Sequence, residues 1–242
     1  MEQLELALQT HEGRRLATGI ATTCCTYCDS KAETRDHVPA KLLINRPFPK
    51  NLRTVPSCLR CNNSWSLDEE YLRVILGLLG RNPKLAAEND QGGYIDRILS
   101  AKPFFEDRII ASLKEDDNGS IHIEPEQGRL DRIAEKTACG LYALRYGVGR
   151  KIADFRAQIL QPIEADVPNR IIAAMHYWPG IKSKRWTVVQ KDSFAFLFAN
   201  GWMTCDPHLW CFINFHDTFF SAISCPAGVG RPKTYRLKAK PW

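Results

Sequence analysis

The stretch Cys25-Thr26-Tyr27-Cys28, separated by 29 residues from Cys58-Leu59-Arg60-Cys61, decides how this chain is read. Each pair spaces two thiols across one tight turn, and two such pairs supply the four corners of a tetrahedral zinc site. Cys24 adjoins the first pair and, with Cys28, offers a looser alternative to Cys25. Between the pairs lie Arg35-Asp36-His37-Val38-Pro39 and Asn51-Leu52, and Asn62-Asn63 follow the last cysteine. An Asp-His dipeptide inside a four-thiol framework suggests a stapled scaffold holding a second, chemically active site.

Working outward, the chain has 242 residues, 44% of them hydrophobic, enough for one large or two small domains with a proper core. No run of 18 apolar residues suggests a membrane span. The start Met1-Glu2-Gln3-Leu4-Glu5-Leu6 carries acid where a secretory signal carries base, so the expectation is a cytoplasmic protein. In a reducing compartment, four of the nine cysteines are expected as metal ligands and the other five as buried thiols.

Charge is unevenly distributed about a net +6. Residues 14–60 carry nine Lys/Arg against three acids, and residues 145–242 carry 14 against six. Residues 81–144 reverse the balance, with nine basic and twelve acidic side chains. Two basic regions flanking an acidic middle fit a polyanion such as nucleic acid, although a charge of this size is common in itself.

Periodicity places the motifs. A short helix is expected around Leu4–Leu8, a strand over 33–38 that delivers Asp36 and His37, and a second strand from Leu52 to Val55. Asn62 or Asn63 would cap a helix running to Gly80 with Trp65, Tyr71, Leu72, Ile75, Leu76, Leu78 and Leu79 inward. Helical segments broken by Gly92-Gly93 and Pro103 follow over 83–116, then a strand from Ser120 to Ile123 and an amphipathic helix from Leu130 to Tyr146. From Asn169 strands dominate: 170–177, 185–189, 194–198, 210–215 and 219–224, with turn signals at Pro179-Gly180, Asn200-Gly201 and Pro226. The expected class is α+β: a small zinc-stapled ββα-metal module over 14–80, then an α+β domain over 81–242 ending in a mostly antiparallel sheet.

Taken in order, Cys25-x-x-Cys28, Asp36-His37-Val38-Pro39, Asn51-Leu52 and Cys58-x-x-Cys61-Asn62 resemble the HNH endonuclease family, over roughly residues 20 to 75. The resemblance implies a ββα-metal fold and hydrolysis of phosphodiester bonds in DNA, double-stranded by expectation. It implies His37 as general base, Asn51 as its orienter, and Asp36 with Asn62 holding one Mg²⁺ or Mn²⁺, while Cys25, Cys28, Cys58 and Cys61 hold a structural Zn²⁺. Glu69, seven residues after Asn62, is a further candidate for the catalytic cation or else a solvated helix carboxylate. Arg35, Lys41, Arg53 and Arg60 are candidate nucleic-acid contacts.

The chain departs from the family's pattern at Trp65, where many members carry Lys, and at Asn62, where His is common. The alternative is a non-catalytic zinc module that binds nucleic acid or a protein. An activating protein partner or a homo-oligomer is compatible with either reading. Elsewhere, His11, His122, His176, His208 and His216 lie in no matching motif, and His216-Asp217 reads as a turn. Cys205, His208 and Cys211 match no zinc template, and Trp178, Trp186, Trp202 and Trp210 read as sheet core more readily than as stacking platforms for bases.

Overall fold

The computed structural model describes residues 24–79, 93–119, 121–147, 150–162, 186–203, 206–216 and 218–226. The expected helix near Leu4, the strand over 170–177, the turn at Pro179-Gly180, and His11, His176, Trp178 and Cys205 fall outside them. So do the side chains of Trp202 and His208.

Strands β1 (Thr34–Val38) and β2 (Arg53–Ser57) form an antiparallel hairpin in which Asp36 faces Val55 and His37 faces Thr54. Helices α1 (Leu59–Ser64) and α2 (Ser66–Leu78) follow, interrupted at Trp65, and Leu78, expected inward, is exposed at the end of α2. The helical run therefore begins three residues before Asn62. Its cap is Cys58, whose Sγ accepts from the Cys61 amide at 3.3 Å, the part expected of an Asn side chain.

Helices α3 (Tyr94–Ala101) and α4 (Pro103–Ala111) lead to a hairpin of β3 (Leu113–Glu115) and β4 (Ile121–Ile123). Pro103 opens α4, where its missing N–H is not needed by the helix.

Helix α5 (Gln127–Tyr146) is the central element. It packs against β1, β2, α2, β5, β8 and β9, and Gly147 at φ +81° ends it. Its apolar stripe of Leu130, Ile133, Ala134, Ala138 and Leu141 is buried as the periodicity demands. Lys136, Thr137, Cys139 and Gly140 are buried too, because neighbours lie on several sides of the helix. At Gly140 the approach is closest: an added Cβ would meet Val38 Cγ2 at 2.6 Å.

The carboxy-terminal sheet is antiparallel in the order β5-β9-β8-β7-β6, built from Arg156–Pro162, Thr187–Gln190, Phe194–Met203, Asp206–Phe215 and Phe219–Pro226 in chain order. No sequence signal announced β5. The turn expected at Asn200-Gly201 is instead strand, since Asn200 pairs with Leu209 and Gly201 with His208. Cross-strand pairing over ten residues outweighs a two-residue turn preference.

One buried apolar cluster runs from Cys25 and Tyr27 through α2 and α5 to Ile223 and Cys225. Two side chains of the sheet grip the loop after β1. Gln190 donates to the carbonyls of Asn45 and Pro47 and accepts from the Asn45 amide at 2.8 Å, while His216 Nε2 lies 2.8 Å from the Leu43 carbonyl oxygen. His216 sits in the turn between β8 and β9 at φ +54°, so its ring is a docking contact within the turn that its sequence suggested. No described helix is long and apolar enough to cross a membrane.

Candidate functional site

The four thiols meet. The ligand atoms of Cys25, Cys28, Cys58 and Cys61 all lie within 4.8 Å of one another. Cys28 Sγ is 3.8 Å from Cys58 Sγ and 3.5 Å from Cys61 Sγ. A tetrahedral ion with metal–sulfur bonds of about 2.3 Å requires sulfur–sulfur edges of about 3.8 Å, so the cage has the dimensions for such an ion. Cys25, buried, belongs to it, and Cys24 is exposed outside it, neither ligand nor buried thiol.

Amide donors already point at the sulfurs. Tyr27 N–H donates to Cys25 Sγ at 3.4 Å, as Cys61 N–H does to Cys58 Sγ. Burial alone would push the Cys28 thiol up, but donation from Ser30 and from the Cys61 and Cys25 thiols brings it down to about 6. Cys61, buried and hydrogen-bonded to Cys28, is pushed up. A divalent ion in the cage would be held by the thiolate forms of its cysteines, so binding it releases protons.

The first knuckle is also anchored to the segment that follows α5. Lys151 Nζ donates to the carbonyls of Cys25 at 3.0 Å and Cys28 at 2.8 Å, and the Ile152 amide donates to Tyr27 O. Among the remaining cysteines, Cys139, Cys211 and Cys225 are buried, and burial pushes each thiol up, Cys225 to about 11.

Alternation along β1 sends Asp36 and His37 to opposite faces. Asp36 points inward. Its Oδ2 accepts from the Tyr27 hydroxyl at 2.7 Å and pairs with Lys136 Nζ at 2.9 Å, whereas Oδ1 takes no hydrogen bond from any described residue. The same Lys136 ammonium binds Glu69 Oε1 and lies 5.3 Å from the centre of the Trp65 ring. Trp65 in turn meets Tyr27 edge-on at 5.0 Å. Asp36 and Glu69, separated by 33 positions, are thereby brought to one cation.

The electrostatics of this cluster follow from its burial. Desolvation would lower Lys136, but Glu69 and Asp36 outweigh it and hold the ammonium above its ordinary range. Glu69 is raised by burial, with Lys136 opposing. Burial and the Asp36 carboxylate hold the Tyr27 phenol protonated. Beside this cluster, buried Asp68 pairs with Arg129 at 3.0 Å and Arg132 at 2.8 Å, tying α2 to α5.

His37 is half-buried on the other face, and its ring makes no hydrogen bond with a described residue. Burial, helped by Lys41 and opposed by Asp36, lowers it below the usual imidazole value, so it is neutral at pH 7. Asn51 is exposed at the turn before β2, and Asn62 is half-buried within α1, its amide donating to Cys58 O at 2.9 Å. No side-chain hydrogen bond joins either asparagine to Asp36 or His37. Arg35, Lys41, Arg53 and Arg60 are all exposed. The Arg35 guanidinium donates to Thr54 Oγ1 and O across the hairpin. Lys41 and Arg46 both lie over the Phe48 ring.

Sequence reasoning missed Lys136. The signal for it was a lone lysine among the inward positions of a helix, which burial makes costly without a carboxylate partner. Among the described residues no second set of three His, Cys, Asp or Glu side chains converges as the thiols do. Compared with family models, curated proteins and solved structures, the chain matches none of them.

Proposed function

We propose that the chain is a metal-dependent endonuclease of the HNH type acting on DNA, with a structural zinc ion in the thiol cage. The observation that supports this reading is His37, a half-buried imidazole that burial lowers below its usual value and that is free of hydrogen bonds to described residues, with Asp36 on the opposite face of the same strand keeping one oxygen free of them. A neutral imidazole is the side chain suited to take a proton from water near pH 7. Asp36 Oδ1 and the Asn62 amide oxygen are hard donors of the kind that hold Mg²⁺ or Mn²⁺ with most of its water shell retained. When bound, such a cation neutralises charge on the phosphate and the leaving oxygen.

Exposed Arg35, Lys41, Arg53 and Arg60 supply positive charge on the hairpin, its following turn and α1, where a phosphate backbone can be held without base contacts. Asn51, at the turn, orients the loop of the hairpin in this reading. Glu69 is assigned here to the lysine cluster, because its Oε1 is taken by Lys136.

A second reading, a zinc module that binds nucleic acid without cutting it, is favoured by the same Lys136, which already neutralises Asp36. Plasmid nicking in Mg²⁺ or Mn²⁺ separates the two. Cutting by the parent, lost in His37→Ala and in Asp36→Asn while DNA binding persists, is the expected result. Binding without cutting by zinc-loaded, folded parent protein would favour the second reading.

A further inference from the structure

We propose that Gln190, on β6 of the carboxy-terminal sheet, is a positioning residue for DNA binding: it holds the loop after β1 so that Lys41 meets a backbone phosphate beside His37. The inference rests on the DNA-binding half of the reading above and deepens it, since it needs neither cutting nor a bound cation and gives the sheet a part in the substrate surface.

Three observations carry it. The first is charge. From His37 to Leu67 the chain has five basic side chains, Lys41, Arg46, Lys50, Arg53 and Arg60, and no acid. The acids that bound this stretch, Asp36 and Asp68, are buried and taken up by Lys136 and by Arg129 and Arg132.

The second is the way the loop is fixed. Gln190 Oε1 accepts from the Asn45 amide at 2.8 Å, while Nε2 donates to the Asn45 carbonyl at 2.9 Å and to the Pro47 carbonyl at 3.2 Å. One side chain 145 positions from Asn45 thus brackets Arg46 on both sides. His216 adds its bond to Leu43 O, and Leu43, Ile44 and Asn45 are buried.

The third is where the fixed loop leaves its cation. Phe48, next after Pro47, has Lys41 Nζ 5.6 Å and the Arg46 guanidinium 5.2 Å from its ring centre. Lys41 is exposed, and its charge is felt at the His37 ring. A lysine loses rotamer freedom when it grips a phosphate, and a loop fixed in advance with a ring under the ammonium reduces that loss.

The test is binding of the zinc-loaded full chain to a fluorescent DNA duplex, followed by anisotropy over a range of salt without added Mg²⁺ or Mn²⁺, beside thermal melting. Lys41→Ala is expected to weaken binding about eightfold at about 0.1 M salt and to lower the salt slope by about 0.9, the counterion released by one phosphate contact. Gln190→Met, which keeps the length of the side chain without its hydrogen bonds, should weaken binding about fivefold, the scale of one loosened side chain. In the Lys41→Ala background the same change should have no further effect, whereas a merely structural role would weaken both backgrounds alike. Should Gln190→Met not fold, Gln190→Asn, which keeps the amide but falls short of the loop, takes its place with the same expected direction.

Equal affinity and salt slope in the parent and Lys41→Ala overturn the phosphate contact. Equal weakening by Gln190→Met in both backgrounds overturns the positioning role. Absence of duplex binding by the folded parent overturns the DNA reading itself, and the proposal with it.

Discussion

Two clusters flank the same hairpin and are assembled in opposite ways. The thiol cage draws its four sulfurs from two short turns, each carrying both members of a pair. The charged cluster draws Tyr27, Asp36, Glu69 and Lys136 from four separate places: the first turn, β1, α2 and α5. Ligands in a local pair are brought close by a few backbone angles, whereas a cluster from distant elements exists only once those elements have packed. The cage is therefore expected to organise the hairpin, and the charged cluster to report whether α5 is docked upon it.

Breaking the cage should have the largest effect. Structural zinc contributes about 10 kcal/mol or more of folding free energy in small thiolate sites. Cys58→Ser, which removes a ligand and the cap of α1, should lose bound zinc and the hairpin's near-native circular dichroism together. Cys24→Ser, by contrast, should retain one zinc per chain by atomic absorption. Equal zinc loss in both variants would break the assignment of Cys25 as the ligand.

Breaking the charged cluster should cost less. Leaving buried acids without their cation destabilises a protein by about 3 kcal/mol or more, so Lys136→Met should melt well below the parent while retaining zinc. Adding Glu69→Gln removes one of the stranded charges and should recover part of that loss. Because Lys136 is held above its ordinary value, its stabilising contribution is complete at neutral pH. It should disappear only as pH rises through the folded-state value, so urea titrations of parent and Lys136→Met should differ at pH 7 and converge in strong alkali.

The docking of α5 on the hairpin can be probed at a single glycine. Gly140→Ala gains helix propensity but drives a methyl into stiff, buried Val38, and overpacking of this kind costs about 1–3 kcal/mol. Thermal melting should show a net loss, relieved by Val38→Ala in the same chain.

The smallest effect should be electrostatic. The His37 ring protons, followed by NMR, should titrate below the ordinary imidazole value of 6.5, and Lys41→Ala should move the midpoint upward by removing a nearby positive charge. The folded state favours neutral His37, so this group's contribution to stability rises as pH increases from the folded midpoint to 6.5 and is flat above it. The acid limb of any nicking profile should follow the same midpoint.

Legibility in the sequence followed the same division. Both strands of the hairpin, α5 and the last two strands of the sheet were expected within a few residues, because each is long or bounded by clear signals, whereas β7 runs five residues past its expected end at Phe198. The cap of the helical run was misplaced because a cysteine stood in for an asparagine. The Asn200-Gly201 turn was overridden by pairing with β8, and β5 joins the sheet through contacts with β9 that no local pattern records.

The sequence by itself determined the two thiol pairs, the inward stripe of α5 and the opposite facing of Asp36 and His37, since these depend on spacing and on periods of two and 3.6. Only the tertiary structure decided that Cys25 and not Cys24 enters the cage, that His216 and Gln190 hold the loop after β1, and that Lys136 meets Asp36 and Glu69. Those outcomes depend on which surfaces come together over separations from 67 residues, between Glu69 and Lys136, to 173, between Leu43 and His216, or, for the cage, on which of two adjacent thiols turns inward, and the energy that selects them is released only on packing.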